Sequence, residues 1–233
     1  MVFLDIEELK RLLAISAPTV LSRRVDPFGT EYDIVRHELA KIRTLHLKER
    51  VFEVPGLTRN LELICQTVAE YKEKEKRNVM PLQYAKSDDI VVMQLRPEHV
   101  GANFTYERDV TLGAGKYVGT FHIIPPTSGK LTIPEKQIFI ITDIIELSST
   151  PSLTAVQVVD VDGVPQYPIE ATLSIKASDI RVFEFPHPII ADATLDIDGK
   201  VESKTAGGTV TTYAYPVGVW IGYGKDVPAL ARP

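Results

Sequence analysis

Apolar positions in the first third of the chain recur every three or four residues, which is the spacing of one face of an α-helix. Three such stripes follow one another, with the members Ile6, Leu9, Leu12 and Leu13, then Val35, Leu39, Ile42 and Leu45, then Leu61, Ile64, Cys65, Val68 and Tyr71. Pro18 ends the first stripe, and Pro55 and Gly56 separate the second from the third. The pattern predicts three helices, of which the last two form an αα-hairpin, and it places Cys65 as a buried thiol.

Downstream of about Phe104 the pattern changes to short alternating or apolar runs, separated by glycine, proline and Asp-Gly turn signals. Including one earlier run, the predicted strands cover residues 91–95, 117–124, 137–145, 154–161, 171–175, 181–185, 193–197, 209–215 and 217–223. No helical pattern lies between them, which disfavours a parallel α/β fold because such folds need crossover helices. Many short strands with regular turns predict an antiparallel β-sandwich of the jelly-roll type.

The fold class is therefore α+β, with a helical amino-terminal arm over residues 1–86 and a β-sandwich domain over residues 87–233. The arm carries a formal charge of +2 and the β-domain −7, which together give the −5 of the whole chain. A β-domain with this acidic balance disfavours contact with nucleic acid, because phosphate neutralisation needs clustered cations. No apolar run reaches the roughly 20 residues that a membrane span requires, so none is predicted.

Three segments of the β-half resemble the jelly-roll domains of viral and phage structural proteins. Residues 129–144 place Pro134 before a long apolar run, residues 183–190 form a proline-containing corner, and residues 217–224 are similar to a closing strand. The resemblance covers about residues 115–224 and implies a homo-oligomer, trimeric or higher, that contacts other virion proteins. Independently, Pro134, Pro186 and Pro188 suit the edges of a sheet, because proline donates no ladder hydrogen bond.

Few residues occur in a sequence pattern that is typical of a catalytic site. His122 invites comparison with a metal-binding cupin, but Ile124 stands where the second histidine would be, and no glutamate follows before Glu135. No Gly-x-Ser-x-Gly motif occurs, and the glycine-rich segment 113–116 precedes a strand, which favours a turn over a phosphate loop. We therefore predict no enzyme, no catalytic residue, no cofactor and no metal ligand.

Two acidic tetrads have the same form: residues 160–163 and residues 196–199 both read Asp-x-Asp-Gly. Asp-Gly is a common two-residue hairpin turn, which is the favoured interpretation of both. Paired carboxylates also suit calcium, although a complete calcium loop would need further oxygen ligands. Calcium binding at these turns stays open as the alternative.

Four aromatic residues lie close together near the end of the chain: Tyr213, Tyr215, Trp220 and Tyr223. Packing in the core or at a subunit interface is the default expectation for such residues. An exposed aromatic platform that stacks on sugar rings is the alternative.

The leading hypothesis is a virion structural protein, such as a capsid, spike, turret or head/tail component, that assembles with copies of itself. A carbohydrate-binding or adhesive β-sandwich module, with a surface glycan as its partner, is the second hypothesis. A cupin-like barrel enzyme is the third. The first places the protein in the virion, whereas the others would place it at an extracellular surface or in the cytoplasm.

Overall fold

The computed structural model describes residues 30–42, 44–47, 50–101, 107–111, 118–127, 129–148, 152–166, 171–175, 180–203 and 209–228. Its helices are α1 (Thr30–Ile42), α2 (Pro55–Arg59) and α3 (Leu61–Glu75). Its strands are β1 (Thr44–Leu47), β2 (Arg50–Glu53), β3 (Ile90–Gln94), β4 (Glu107–Thr111), β5 (Val118–Ile124), β6 (Leu131–Thr132), β7 (Ile138–Ser148), β8 (Ser152–Val161), β9 (Val164–Pro165), β10 (Ala171–Ile175), β11 (Ile180–Ala191), β12 (Thr194–Ser203) and β13 (Thr209–Tyr223). No helix among the described residues is long and apolar enough to cross a membrane.

Two antiparallel sheets form the body of the molecule, which confirms the predicted α+β class with a β-sandwich. The middle sheet has the order β11-β7-β13-β3, and β4 also pairs with β13. The outer sheet has the order β10-β8-β12-β5, with the short strands β6 and β9 beside β12 and β8. The helices form a third layer, which packs on the face of the middle sheet that is turned away from the outer sheet.

The middle sheet is buried on both faces, and successive residues alternate between two apolar cores. In β7, Phe139 and Ile141 belong to the core between the sheets, whereas Ile140 and Ile145 pack against the helices. Strands covered on both sides read as nearly continuous apolar runs, which explains the sequence from residue 138 to residue 145. The helical core adds Leu57, Ile64, Cys65, Val68 and Tyr71, which confirms the predicted stripe of α3 and the buried thiol.

The helices share a core with the β-strands, and this bears on the predicted division of the chain at residue 86. Val79, just after α3, forms a bridge to Ile90 at the start of β3. The Tyr71 hydroxyl donates to the backbone oxygen of Lys136, 65 residues away. In the described part of the chain, α1, α2 and α3 therefore cover the middle sheet. Residues 1–29, including the first predicted helix, lie outside the described residues.

Two predicted elements differ from the structure. The second helix was expected to continue past Leu45, but α1 ends at Ile42 and the antiparallel hairpin β1–β2 follows it. Residues 209–215 and 217–223 were expected to be two strands, but they form the single strand β13. β4 pairs with β13 as far as Tyr213, and β3 pairs with β13 from Val219 onward. Pro216 lies between these two stretches, so its missing N–H removes no ladder hydrogen bond on that side of β13.

The prediction that prolines mark a sheet edge is confirmed for β11, which is the last strand of the middle sheet. The pairing of β11 with β7 shifts register between Glu184 and Ile189, a segment that contains Pro186 and Pro188. A bulge with two prolines interrupts the row of donors that an edge strand would otherwise present to another chain.

Candidate functional site

A histidine and two aspartates meet on the exposed face of the outer sheet. In β12, Leu195, Ile197 and Gly199 point to the core, so Asp196 and Asp198 share the opposite face. His122 lies directly opposite Asp198 on the neighbouring strand β5. We call His122, Asp196 and Asp198 the outer-sheet cluster.

The geometry of the outer-sheet cluster is compact. The Nδ1 atom of His122 lies 2.7 Å from Oδ1 of Asp198. Each of the three residues offers a nitrogen or oxygen atom, and these atoms all lie within 4.8 Å of one another. The His122 and Asp198 side chains are 40% and 30% exposed, so water and ions reach the cluster.

Asp196 is the least satisfied member of the cluster. Its Oδ1 atom is buried and has no hydrogen-bond partner. Burial raises the pKa of this carboxyl, and the negative charge of Asp198 raises it further, while His122 and Lys130 act in the opposite direction. A buried carboxylate oxygen without a partner is costly, so the site favours a proton or a cation there.

Lys130 neutralises the next carboxylate along the same face. Its Nζ atom donates to Oδ2 of Asp160 at 2.8 Å, and Asp160 lies opposite Asp196 in the pairing of β8 with β12. The lysine lowers the pKa of the Asp160 carboxyl, with further hydrogen bonds from the hydroxyl of Thr194 and the N–H of Gly163. Asp160 is therefore satisfied by protein donors, whereas Asp196 is not.

The first acidic tetrad forms the hairpin turn that the sequence predicts. Asp162 and Gly163 connect β8 to β9, and their φ angles of 53° and 78° are those of a type I′ turn. Oδ1 of Asp162 accepts from the N–H groups of Asp192, Ala193 and Thr194 at 2.8 to 3.2 Å. This carboxylate therefore fixes the turn between β11 and β12.

The hairpin prediction is wrong for the second tetrad, because Asp198 and Gly199 lie inside β12. Gly199 is needed for packing across the strands: a Cβ atom built there would lie 2.2 Å from the Phe121 ring. The tetrad thus places two carboxylates at alternating positions on one face. The i, i+2 spacing signalled that arrangement, but no local signal indicated the pairing with His122, which lies 76 residues away.

The four aromatic residues singled out in the sequence do not share one exposed surface. Trp220 is fully buried between the sheets. The His99 ring stacks on it with 5.0 Å between the ring centres, and the Nε1–H of Trp220 donates to Oε1 of Gln137. Tyr223 is buried on the helical side of β13 and donates its hydroxyl to Glu75. Tyr215 is half-buried, and the side chain of Tyr213 lies outside the described residues. An interface or ligand role for these residues stays a prediction.

A carboxylate buried under the helices joins α2 to the middle sheet. Oδ1 of Asp143 accepts the N–H of Gly56 at 3.1 Å, and its Oδ2 accepts the hydroxyl of Thr142 at 2.6 Å. Burial raises the pKa of the Asp143 carboxyl, although both hydrogen bonds lower it. A Cβ atom at Gly56 would lie 2.7 Å from Asp143, so the helix approaches the sheet this closely only with glycine at that position. The position of α2 therefore depends on this contact.

The cupin comparison places a metal inside a barrel, but His122 lies on the outer face of the sandwich. Within the described residues, a depression lined by Arg36, Leu39, Leu57, Thr58 and Leu61 holds about 10 Å³, roughly the space of one water. That depression lies under α1 and α2 and is distant in sequence from the outer-sheet cluster. Glycine-rich residues 113–116 lie outside the described residues.

Comparisons with known proteins give structural similarity and no sequence relationship. No protein family matches the chain, and no curated protein matches it. Among solved structures, the infectious bursal disease virus VP2 subviral particle has 11% sequence identity and a TM-score of 0.37, over 64% of this chain and 36% of that chain. The chain therefore spans about a third of that protein's length.

Two further solved structures differ in kind. The coat protein of tobacco streak virus has 16% identity and a TM-score of 0.29, over 55% of this chain and 91% of that chain. Isomalto-dextranase of Arthrobacter globiformis, in complex with panose, has 15% identity and a TM-score of 0.25, over 48% and 17%. The solved structures to which the chain is similar therefore include two viral proteins and part of an enzyme.

Proposed function

We propose that this protein is a virion structural component that acts by assembling with copies of itself and carries out no bond chemistry. The observation that carries the proposal is the order in which the strands pair. The eight principal strands are, in chain order, β3 together with β4, then β5, β7, β8, β10, β11, β12 and β13. The first of these pairs with the eighth, the second with the seventh, the third with the sixth, and the fourth with the fifth. The fourth pair is β8 with β10, and the first is β13 with β3 and β4.

This nested pairing supports the jelly-roll assignment. It describes one long antiparallel ribbon that is folded over into two sheets, with four strands in each sheet. At one side of the sandwich β10 contacts β11, and at the other β4 contacts β5, so the sheets approach each other at both edges. Jelly rolls of this kind form capsid domains, lectins and cupins, so the fold supports the proposal without deciding it.

The surface supplies the second support. Two large apolar side chains are well exposed, Tyr84 by 72% between α3 and β3, and Val164 by 59% in the β8–β9 hairpin. Contact between copies is one way to cover such side chains together with the free strand edges. Neither the outer-sheet cluster nor the contacts around Trp220 provides a pocket for a small substrate or an exposed stacking face. The part of the chain that the structure describes thus gives no specific support to the enzyme and glycan-binding alternatives.

Electron microscopy of the purified full chain tests the proposal. We expect rings, shells or other regular assemblies, and dispersed single particles at high concentration would contradict it. Tyr84→Lys and Val164→Lys place a charge at the exposed apolar positions, and each is expected to weaken assembly if that position lies in a contact. Tyr84→Phe, which keeps the exposed ring and adds no charge, is the matched control and should leave assembly unchanged.

A further inference from the structure

We propose that the outer-sheet cluster of His122, Asp196 and Asp198 binds a divalent transition-metal cation of the zinc type, which bridges β5 and β12. This inference goes beyond the proposed function and does not depend on assembly. The three residues come from two neighbouring strands, and their donor atoms already lie within 4.8 Å of one another. They form a set of one imidazole nitrogen and carboxylate oxygens.

The donor types select the class of cation. One imidazole with two carboxylates suits zinc and similar first-row metals, whereas calcium and magnesium favour sites made of oxygen alone. Calcium takes six to eight oxygens, and the neighbouring Asp160 is already held by Lys130, Thr194 and Gly163. Three protein ligands leave a fourth position of a zinc site to water, which the exposure of His122 and Asp198 allows.

The state of Asp196 is the independent observation that points to a ligand. Its Oδ1 atom is shielded from solvent and has no hydrogen-bond partner, and two carboxylates lie near it: Asp198, two residues along β12, and Asp160, opposite on β8. Lys130 is the nearby cation, but its ammonium is within hydrogen-bond distance of Asp160. The Asp196 and Asp198 carboxylates repel each other, and a bound dication would offset that repulsion.

Binding of the cation would require particular protonation states of its ligands. His122 Nδ1 and Asp198 Oδ1 share a hydrogen at 2.7 Å, so either a cation takes its place between them or His122 binds through Nε2 with Asp198 as its outer partner. Both arrangements need the neutral imidazole and deprotonated carboxylates.

Isothermal titration calorimetry of the full, chelator-treated chain with zinc chloride tests the proposal. We expect one zinc ion per chain, and a rise of the melting temperature when zinc is present. His122→Ala and Asp196→Asn should each weaken zinc binding by more than the ~10- to 100-fold that loss of an outer partner costs. His187→Ala, which removes an exposed histidine on β11, is the control and should bind as the unaltered chain does.

Asp196→Asn also guards against loss of folding, because it removes a charge and leaves the shape of the side chain. An unchanged circular dichroism spectrum with lost zinc binding supports the proposal. Failure of the unaltered chain to take up zinc would overturn it, as would zinc binding that both variants retain. Tight calcium binding without zinc binding would overturn the assignment of the cation class.

Discussion

At the scale of single residues, His99 shows how a partly buried polar side chain packs against the core between the sheets. Its Nδ1 accepts the N–H of Arg96 at 3.0 Å, so the neutral ring carries its proton on Nε2. The ring stacks on Trp220 and contacts Phe139 edge-on. Burial, together with the charge of Arg96, lowers the pKa of His99 to about 4. The folded protein therefore favours the neutral histidine above about pH 4.

This lowered pKa predicts a loss of stability in mild acid. Because the unfolded chain binds the proton near pH 6.5 and the folded chain only near pH 4, stability from this group is complete above pH 6.5 and falls as the pH drops to 4. The loss is expected to reach roughly 3 kcal/mol, since one pKa unit corresponds to about 1.4 kcal/mol. Urea unfolding across this range measures it. In His99→Gln the acid-dependent loss should shrink, and an equal loss in the variant would contradict the assignment.

Asp143 is expected to act with the opposite sign. Burial raises its pKa, so the folded chain binds a proton more readily than the unfolded chain, and stability rises as the pH falls through the raised value toward 3.8. Asp143→Asn keeps an oxygen that accepts the Gly56 N–H and removes the charge. The free energy of unfolding of the unaltered chain relative to this variant should therefore increase as the pH is lowered. Urea unfolding of both proteins measures the difference, and a relative stability that decreases in acid would contradict the account.

At the scale of elements, α3 is held to the sandwich by its apolar stripe and by polar contacts at its end. Val68 and Ile64 are fully buried against the middle sheet. At the carboxyl end of α3, the hydroxyl of Tyr223 donates to Glu75, and the Nζ atoms of Lys136 and Lys225 lie 5.8 and 5.7 Å from the centre of the Tyr223 ring. The last residue of β13 thereby joins the helix to the sheet.

Removal of this hydroxyl should loosen the end of α3. Tyr223→Phe deletes the donor to a charged carboxylate and is expected to cost about 1 to 3 kcal/mol in the free energy of unfolding. Tyr84→Phe removes a hydroxyl from a side chain that is 72% exposed, and it should be close to neutral. Chemical denaturation of both variants makes the comparison. Equal stabilities would show that the Tyr223–Glu75 hydrogen bond contributes nothing.

The elements also show how far the sequence predicts this fold. Strands such as β10, with the bounds that the pattern indicated, and the apolar stripe of α3 follow from local periodicity. The hairpin β1–β2 was missed because Leu45 continues the helical spacing of α1 and no break was expected before Pro55. Which helix covers which strand, and which histidine meets Asp198, depends on contacts between residues far apart in the chain, so periodicity does not determine them. The sequence indicated His122 and the pair Asp196 and Asp198 separately, and it did not predict that they form the outer-sheet cluster.

At the scale of the whole molecule, the described residues form three layers, in which the middle sheet packs on both faces and the outer sheet has one exposed face. The proposed self-assembly rests on the free strand edges, the exposed Tyr84 and Val164, and the nested strand order. Under the proposed function, we expect other surfaces to meet neighbouring copies, while the exposed face that carries the outer-sheet cluster stays available to a cation. Self-assembly and zinc binding can therefore be tested by separate experiments.

Multi-angle light scattering of the purified full chain, measured across a wide range of protein concentration, tests the proposed self-assembly most directly. We expect molar masses that are multiples of the 25.9 kDa of one chain and that increase toward closed assemblies of three or more copies. A mass that stays at 25.9 kDa at every concentration would contradict the account.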